Sequence, residues 1–280
     1  PSEWFLKRIG TRESYTPVET VYRAAKQRGM DYVTLTDHNT IDGALQLREH
    51  HPDDTFISVE ATTYFPEDGC KIHILIYGIS EQQFAEIDRI RDNIYDLREY
   101  LERERLVCSV AHPTYSINGK LTVAHLERLL VLFNVFEGLN GSRPALANNT
   151  WMDNLEVMTP AHIERLAERY RIRPWGDNPW VKSFTAGSDD HAGIFIAATF
   201  TRAPASGVSG YLEAIARGET MPAGRHNDFK GLAFSLYKIA WDFYKYRTIE
   251  DTAGPDMLGD IFGLVFDNKR IGAKNWLSLQ

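Results

Sequence analysis

The run Tyr32-Val33-Thr34-Leu35-Thr36 leads directly into Asp37-His38-Asn39, and this junction decides the fold that we expect. β-branched and aromatic residues favour strands, so the run predicts a short buried strand with polar residues at its carboxyl end. The same arrangement recurs where Phe184-Thr185-Ala186 runs into Gly187-Ser188-Asp189-Asp190-His191. Two Asp/His clusters at strand ends, far apart in sequence, indicate a metal site that several strands assemble.

Predicted helices and strands alternate on both sides of this run. Before it, Thr16 as N-cap, Pro17 at the first helical position and Glu19 in the capping-box place predict a helix over 17–28. After it, the pattern predicts helices near 41–50, 81–105, 122–130 and 145–171 (the last interrupted near Thr159-Pro160) and strands at 56–60, 72–77, 107–111, 132–136 and 184–186. Such alternation predicts an α/β fold whose parallel sheet closes, or nearly closes, into a barrel.

The last third of the chain is expected to extend this barrel. A strand-like stretch at 195–201 and helices near 208–217 and 230–246 follow the alternating region. We therefore predict a barrel domain over residues 1–202 and a helical extension, packed on the barrel, over residues 203–280. The helix near 230–246 is aromatic nearly all round, which indicates burial on several sides. Core packing is the usual reason, with a dimer surface or a domain beyond Gln280 as alternatives.

The composition of the 280-residue chain, 43% hydrophobic and 25% charged, is that of an ordinary globular protein. No apolar run approaches the ~18 residues of a membrane span and no leader pattern opens the chain, so we expect a cytoplasmic protein without membrane contact. Cys70 and Cys108 form no CxxC pair and are expected to be reduced. The net charge of −7 disfavours an extended nucleic-acid surface and favours a small substrate. A homo-oligomer or a further domain is compatible with these features.

Histidine and carboxylate side chains gather at or just after the predicted strand ends. They are Asp37, His38, Glu60, His112, Glu137, Asp189 and His191, with His73 inside its own strand. Imidazole and carboxylate without thiolate suit Zn, Mn or Fe and not a structural zinc cross-brace. The set is too large for one ion, and neighbouring divalent ions generate hydroxide and stabilise an in-line displacement. The pattern predicts a multinuclear hydrolase.

Each of these residues also has a structural explanation. His73 lies in an apolar strand, where a lone histidine is more often a core residue. Asp189-Asp190 after Gly187-Ser188 is also typical of a turn and a helix N-cap, and His112-Pro113 of a strand terminator. Recurrence at five successive strand ends favours the metal site, because independent turn residues need not be His or acidic each time.

Five short motifs occur in a fixed order between residues 16 and 192. They are Thr36-Asp37-His38-Asn39, Val59-Glu60, Ile72-His73-Ile74-Leu75-Ile76-Tyr77-Gly78, Ala111-His112-Pro113 and Gly187-Ser188-Asp189-Asp190-His191. This ordered set resembles the PHP family, named for polymerase and histidinol phosphatase. The resemblance implies a distorted, TIM-like (β/α)7 barrel, two or three divalent metal ions and phosphoester hydrolysis. The ligands that it implies are His38, Glu60, His73, His112, Asp189 and His191.

One motif of the family is missing. The family begins with a strand ending in His-x-His, which supplies two further ligands, and none of the nine histidines here stands in such a pair. The helix over 17–28 corresponds to the one that follows this first strand, so the missing motif would precede Pro1. We therefore expect a fragment that is truncated before its first strand. Such a fragment can be metal-poor and inactive.

The expected reaction is hydrolysis of a phosphate monoester or small phosphodiester by a metal-activated hydroxide. Asp37 is expected to act as a ligand or to orient the ligands, and His191 to be essential for turnover. Arg143 is the candidate that neutralises phosphate oxygens with its planar guanidinium, with a solvated loop arginine as the alternative. Glu137 is expected to support ligands without binding metal. Arg225-His226 is expected to be a solvated loop, with a lid over the site as the alternative.

Two other functions stay open at this point. A PHP exonuclease or proofreading domain has the same motifs, but no basic stripe or aromatic stacking platform stands out as a strand-binding groove would require. A catalytically silent PHP module attached to a larger protein also has the same fold. The leading prediction is a metal-dependent phosphoesterase that acts on a small phosphorylated metabolite.

Overall fold

The structure is a computed structural model, and it describes residues 16–250 of the chain. The chain divides into two compact units. One unit comprises Pro17–Asp190 and Phe195–Asp228 and contains the strands, and the other includes His191–Ile194 and the segment that begins at Phe229. The predicted domain boundary after residue 202 stays a prediction. Residues 1–15 and 251–280 of the two predicted domains lie outside the described residues.

The elements alternate along the chain much as the sequence predicts. The helices are α1 Val18–Gln27, α2 Asp42–His50, α3 Glu81–Ile90, α4 Ile94–Arg103, α5 Val123–Leu132, α6 Ala145–Glu156, α7 Pro160–Tyr170, α8 Gly207–Arg217 and α9 Phe229–Glu250. The strands are β1 Ser58–Phe65, β2 Cys70–Tyr77, β3 Val107–Val110, β4 Val135–Asn140, β5 Ser183–Gly187, β6 Thr199–Arg202 and β7 Met221–Gly224.

The main sheet is mixed, with strand order β1-β2-β3-β4-β5. The pairs β1–β2 and β2–β3 are antiparallel, whereas β3–β4 and β4–β5 are parallel. The prediction of an all-parallel sheet was therefore wrong for its first half. The turn Pro66-Glu67-Asp68-Gly69, with Gly69 at φ +70°, joins β1 directly to β2. A turn this short makes a hairpin, because a parallel connection needs a crossover of a dozen or more residues.

The segment Tyr32–Thr36 is not a regular strand. The stretch 33–38 runs beside residues 55–60, to which it is joined by two isolated parallel bridges, Val33 to Thr55 and His38 to Glu60. The strand predicted here was therefore too regular, although its parallel direction is right. Within residues 16–250 the sheet does not close on itself. The mixed α/β class is confirmed, and the barrel stays a prediction.

Some element boundaries differ from the predicted ones. The helix predicted over 81–105 is two helices, α3 and α4. Asn93 is the N-cap of α4, because its side chain accepts a hydrogen bond from Tyr95 N at 3.0 Å. β4 begins at Val135, since α5 continues to Leu132. Glu137 therefore lies inside β4 and not beyond its end. α1 begins at Val18, one residue later than predicted, with Pro17 as its N-cap.

Alternation along β1 and β2 separates an apolar face from a polar one. The apolar face joins the main core and carries Val59, Ala61, Ile72, Ile74 and Ile76. Glu60, Thr62 and His73 point the opposite way, because successive strand residues face opposite sides, and they too are buried. The hairpin therefore places its polar residues together on one covered face.

The other compact unit contains α9 and a short loop segment. Ala192, Ile194 and Ile239 pack together within it. Along α9, Ile239 and Trp241 are buried, whereas Phe229 and Tyr237 are exposed. The predicted burial on several sides is therefore not observed for the beginning of this helix. None of the helices in residues 16–250 is both long enough and apolar enough to cross a membrane.

Candidate metal centre

The side chains of His38, Glu60 and His73 converge on one point. One potential ligand atom from each lies within 4.8 Å of the others. Strand pairing explains this convergence. His38 bridges to Glu60, and Glu60 is diagonal to His73 across the hairpin because Thr62 faces His73 in the β1–β2 register. All three residues were predicted as metal ligands, and the structure brings them together.

Asn39 locks His38 against β1. Its φ of +55° lies in the left-handed region, which Asn tolerates better than most residues. Its main-chain N–H donates to Glu60 O at 3.1 Å, while its side-chain Oδ1 accepts from Thr62 N at 2.8 Å. Its Nδ2 also donates to Thr62 Oγ1 at 3.0 Å. These bonds hold His38 in register with β1 although the preceding segment is not a regular strand.

Glu60 is the centre of the cluster. Its Oε1 lies 2.7 Å from His73 Nδ1 and 3.1 Å from His112 Nε2, and its Oε2 lies 3.7 Å from His38 Nδ1. Burial alone would raise the pKa of this carboxyl, but the neighbouring imidazoles hold the pKa well below its usual range. Glu60 is thus a buried carboxylate, which is stable only with positive charge nearby.

The imidazoles around Glu60 respond differently to burial. Burial lowers the pKa of His73, which favours the neutral ring that binds metals. Burial also acts to lower the pKa of His112, but its hydrogen bond to Glu60 and the charges of Asp189 and Glu137 raise that pKa instead. One neutral imidazole and one carboxylate therefore stand side by side at the centre of the cluster.

His73 supplies the sharpest evidence for a cation. Both of its ring nitrogens are buried and neither has a hydrogen-bond partner within residues 16–250. Nδ1 lies 2.7 Å from Glu60 Oε1, close enough for one cation to contact both atoms. Buried polar atoms normally have partners, and a cation held between these donors would satisfy both. The donor set fits a divalent metal ion such as Zn, Mn or Fe.

His112 reaches the cluster through an uncommon backbone conformation. It stands two residues after β3, and its φ of +26° is rare for any residue other than glycine. Its main-chain N–H donates to Glu137 Oε2 at 2.8 Å, and the preceding Ala111 N donates to His73 O at 3.0 Å. These two bonds aim the imidazole of His112 at Glu60.

Glu137 holds this backbone from inside β4. It is buried, and burial raises the pKa of its carboxyl to about 7. Besides the His112 N–H, Oε2 also accepts a hydrogen bond from Asn140 Nδ2 at 2.8 Å. Oε1 lies against Gly187, where a Cβ would come within 3.1 Å of it. Glu137 therefore contacts the main chain of His112 and is not a member of the His38–Glu60–His73 group.

Arg143 and Asp189 lie on the loops that follow β4 and β5. Ser142 Oγ donates to Asp189 O at 2.5 Å, and Asp189 has a φ of +45°. The Arg143 guanidinium lies 3.8 Å from the Asp189 carboxylate, and its central carbon lies 3.5 Å from the ring centre of Tyr115. Tyr115 in turn meets the His112 ring edge-on, at 5.7 Å between centroids.

The donors of Arg143 are barely used. Its Nε is buried and has no hydrogen-bond partner within the described part of the chain. The contact with Asp189, at 3.8 Å, is longer than a hydrogen bond. A guanidinium that is held by its face on Tyr115 keeps its in-plane N–H groups for an anion.

The other predicted site residues lie in different places. Asp37 O accepts from Glu60 N at 3.1 Å, and its carboxylate lies over Gly43, where a Cβ would come within 2.5 Å of Oδ2. That carboxylate is not in the three-residue ligand group. His191 belongs to the other compact unit, and its predicted ligation stays a prediction.

The Arg225-His226 loop, which was expected to be solvated, makes side-chain contacts with other residues. The Arg225 guanidinium lies 4.0 Å from the ring centre of Phe195. His226 Nδ1 lies 3.0 Å from Asn148 Nδ2. Both residues are partly buried, so the loop is partly solvated, and the alternative of a lid over the site stays a prediction.

Sequence reasoning missed Tyr115, Asn140 and Asn148. Tyr115 and Asn140 each stand three residues after a predicted site residue, His112 and Glu137 respectively, and this spacing is the signal that was available. Asn148 lies inside a predicted helix, where an amide has no local signature. Its role depends on a loop that is distant in sequence.

No known protein family matches this chain, and no curated protein matches it. Among the solved structures that resemble it distantly are the following two. PsfC from Pseudomonas syringae PB-5123 has a TM-score of 0.48 and 14% identity, over 82% of this chain and 93% of PsfC. A putative metal-dependent phosphoesterase from Bifidobacterium adolescentis ATCC 15703 has a TM-score of 0.35 and 15% identity, over 63% of this chain and 82% of that protein.

Proposed function

We propose that this chain is a metal-dependent phosphoesterase of the PHP type, acting on a small phosphate monoester or phosphodiester. One observation carries the proposal. The His38–Glu60–His73 ligand group connects through His112 and Tyr115 to the guanidinium of Arg143, whose Nε has no hydrogen-bond partner within residues 16–250. Phosphoryl transfer requires both elements, a cation at the phosphate and fixed donors for its remaining oxygens.

Divalent metal would be held first by His38, Glu60 and His73. His112, Asp189 and His191 are the proposed ligands for further ions, so that two or three of Zn, Mn or Fe are bound. When bound, such ions supply Lewis acidity, which polarises the phosphoryl group and makes water a nucleophile near neutral pH. The low pKa of Glu60 suits this role, because the carboxylate needs no deprotonation before it binds a cation.

The protein residues around the ions would position the substrate. Arg143 would donate two parallel N–H groups to phosphoryl oxygens, a geometry that a guanidinium provides and an ammonium does not. Tyr115 fixes the plane of that guanidinium by stacking. Glu137 holds the strained main chain of His112 and so fixes the direction of its imidazole.

The order of the motifs also supports a PHP-type barrel as the finer description of the fold. In this proposal the segment that ends at His38 is the parallel neighbour of β1, as its two bridges indicate. Residues 1–202 would form the barrel and residues 203–280 the extension. The loop at residues 225–227 would then be the part of the extension that contacts the site.

The test is reconstitution of the purified full-length protein. We expect the metal-depleted protein to bind Mn²⁺ or Zn²⁺ and then to release phosphate from an aryl phosphate. His73→Ala and His191→Ala should abolish release, while His50→Ala, at an exposed position in α2, should retain it. Metal binding without hydrolysis of any phosphoester would identify a silent PHP module. Absence of metal binding would overturn the proposal altogether.

A further inference from the structure

Asn148, on α6, is a buried amide that joins three segments of the site-bearing unit. Its Oδ1 accepts from Asn140 N at 3.3 Å, and its Nδ2 donates to Asn140 O at 3.1 Å. The second Nδ2 hydrogen points to His226 Nδ1 at 3.0 Å. An amide nitrogen only donates, so His226 Nδ1 must accept, and the neutral ring carries its proton on Nε2. Every hydrogen-bonding group of the Asn148 side chain is thus used.

The loop that contains His226 is paired with the loop that contains Arg143. Asn227 N donates to Arg143 O at 2.8 Å, and Asn227 Nδ2 donates to Ser142 O at 3.2 Å. Pro144 and Asn227 form an isolated parallel bridge. Asn227 and Asn148 therefore both hold the main chain of the loop that carries Arg143.

The same network continues towards the ligand group. Asn140 Oδ1 accepts from Ser142 N at 2.8 Å, and Asn140 Nδ2 donates to Glu137, which holds the main chain of His112. A continuous set of hydrogen bonds therefore runs from His226 through Asn148 and Asn140 to the metal side of the site. It passes through the loop of Arg143 on its way.

We propose that Asn148 and His226 are positioning residues that set the main chain of Arg143 and so aim its guanidinium at a bound phosphate. This inference rests on the proposed function for the identity of the anion. The guanidinium lies against the ring of Tyr115, and its Nε has no hydrogen-bond partner in the part of the chain that the structure describes. Its position therefore depends on where the main chain of the loop places Arg143. A displacement of about 1 Å in such a group can cost about 100-fold in rate.

The test is a set of His226 variants in two backgrounds. His226→Leu removes the acceptor for Asn148, and we expect kcat/KM for an aryl phosphate to fall about tenfold with metal content unchanged. In the Arg143→Ala background the same substitution should cost less than about twofold, because the two residues act in series. His226→Asn should restore most of the activity, since its amide oxygen can replace Nδ1 as acceptor. His50→Leu, at an exposed position, is the matched control.

Equal losses in both backgrounds, or loss of metal in His226→Leu, would overturn the inference and assign the network a general structural role. Binding of inorganic phosphate, measured by calorimetry on metal-loaded protein, separates this inference from the proposed function. If nothing is hydrolysed but phosphate binds about tenfold more weakly to His226→Leu only when Arg143 is present, the positioning role stands and the phosphoesterase proposal falls. If phosphate does not bind, or binds His226→Leu and the unmodified chain equally, the positioning role is wrong.

Discussion

The two sides of the candidate site are built by different means. On one side, Glu60 and His73 belong to paired strands, and the register of the hairpin fixes their separation. On the other side, Arg143 and Asp189 lie on loops, and side-chain hydrogen bonds of Ser142 and Asn148 set their positions. Backbone pairing is continuous on the first side and sparse on the second.

This difference predicts that metal binding and turnover respond to different substitutions. The strand side places its ligands through main-chain pairing, which a single side-chain change leaves intact. The loop side depends on individual side chains, so a single change there can move a group by an ångström without unfolding the protein. Substitutions of the strand-side ligands should therefore remove metal, and substitution of Arg143 on the loop side should remove activity while metal stays bound at the His38–Glu60–His73 group.

The largest expected effect is that of Glu60→Gln. Glutamine has the shape of glutamate but no charge, so it removes the anion that His38, His73 and His112 share. We expect metal affinity to fall by more than about 100-fold, the upper range for residues that only support ligands, and activity to disappear with it. Metal content after gel filtration and circular dichroism of the fold check this. Glu164→Gln, on an exposed face of α7, is the control. Retention of metal by Glu60→Gln would show that the strand side does not hold the metal through Glu60.

Arg143→Ala should have the next largest effect, and of the opposite kind. Removal of a group that donates to a transition-state oxyanion typically costs about 10²–10³-fold in kcat. Because Arg143 touches Tyr115 and Asp189 but no member of the His38–Glu60–His73 group, metal content should not change. Arg143→Lys should recover little, since an ammonium cannot stack or bind two oxygens in one plane. Arg48→Ala, at an exposed position in α2, serves as control. Parallel loss of metal and activity would show that the two sides are not separable.

The strand side of the site could be predicted from the sequence because its signals are local. His38, Glu60 and His73 were identified by their places in the ordered set of short motifs. In the structure, the alternation of β2 turns His73 away from the core that Ile72 and Ile74 join. The alternation predicts which face a residue occupies, whatever the direction of the partner strand. This is why an incorrect prediction of parallel pairing left the ligand group intact.

The loop side could not be predicted to the same depth. Arg143 was identified by its charge and by its position after a strand, but the amide network beneath it joins Asn148 to a residue 78 positions later. No periodicity links residues so far apart. The positive φ values at His112 and Asp189 likewise depend on tertiary contacts, since neither residue type requires them. The hairpin turn at Pro66–Gly69 is different, because its Pro and Gly were a readable signal that the expected alternation of strands and helices obscured.

Lys182 lies at the end of β5 opposite the loop that carries Asp189. We use it to test whether a change in stability at that end leaves activity unaffected. It precedes β5, and its Nζ donates to Leu130 O at 2.6 Å, Phe133 O at 2.8 Å and Asn134 Oδ1 at 3.0 Å. Burial lowers the pKa of this ammonium from 10.5 to about 7. Between these two values the unfolded chain holds the proton and the folded chain does not. The free energy of unfolding should therefore rise with pH, by about 1.4 kcal/mol per unit, from pH 7 towards pH 10.

Lys182→Met isolates this contribution, because methionine has a similar shape and does not titrate. The difference in unfolding free energy between the unmodified chain and the variant, from urea titrations at pH 7, 8 and 9, should grow in favour of the unmodified chain. Below pH 7 both states are protonated and the full cost of burying the ammonium is present. A difference that is flat with pH would mean that the three oxygens compensate for burial. Activity per folded molecule should be unchanged, which would sharpen the contrast with Arg143.

The smallest expected effect comes from a methyl group on the loop side. A Cβ on Gly141 would lie 2.7 Å from both Ser188 O and Thr199 Oγ1, which is closer than any real contact, and its N–H donates to Gly187 O at 2.8 Å. Gly141→Ala should therefore push apart the loops that follow β4 and β5, at a cost of about 1–3 kcal/mol in unfolding free energy.

Gly210→Ala is the matched control, because its Cβ meets only Ala205 Cβ at 3.9 Å and α8 should gain about 0.5–1 kcal/mol from alanine. Since Arg143 lies on one of the two displaced loops, kcat/KM should fall in Gly141→Ala while the ion at His38, Glu60 and His73 stays bound. If activity instead fell only in proportion to the folded fraction, the close approach of these loops would matter for stability alone. Precise placement of the loop side would then not be required for activity.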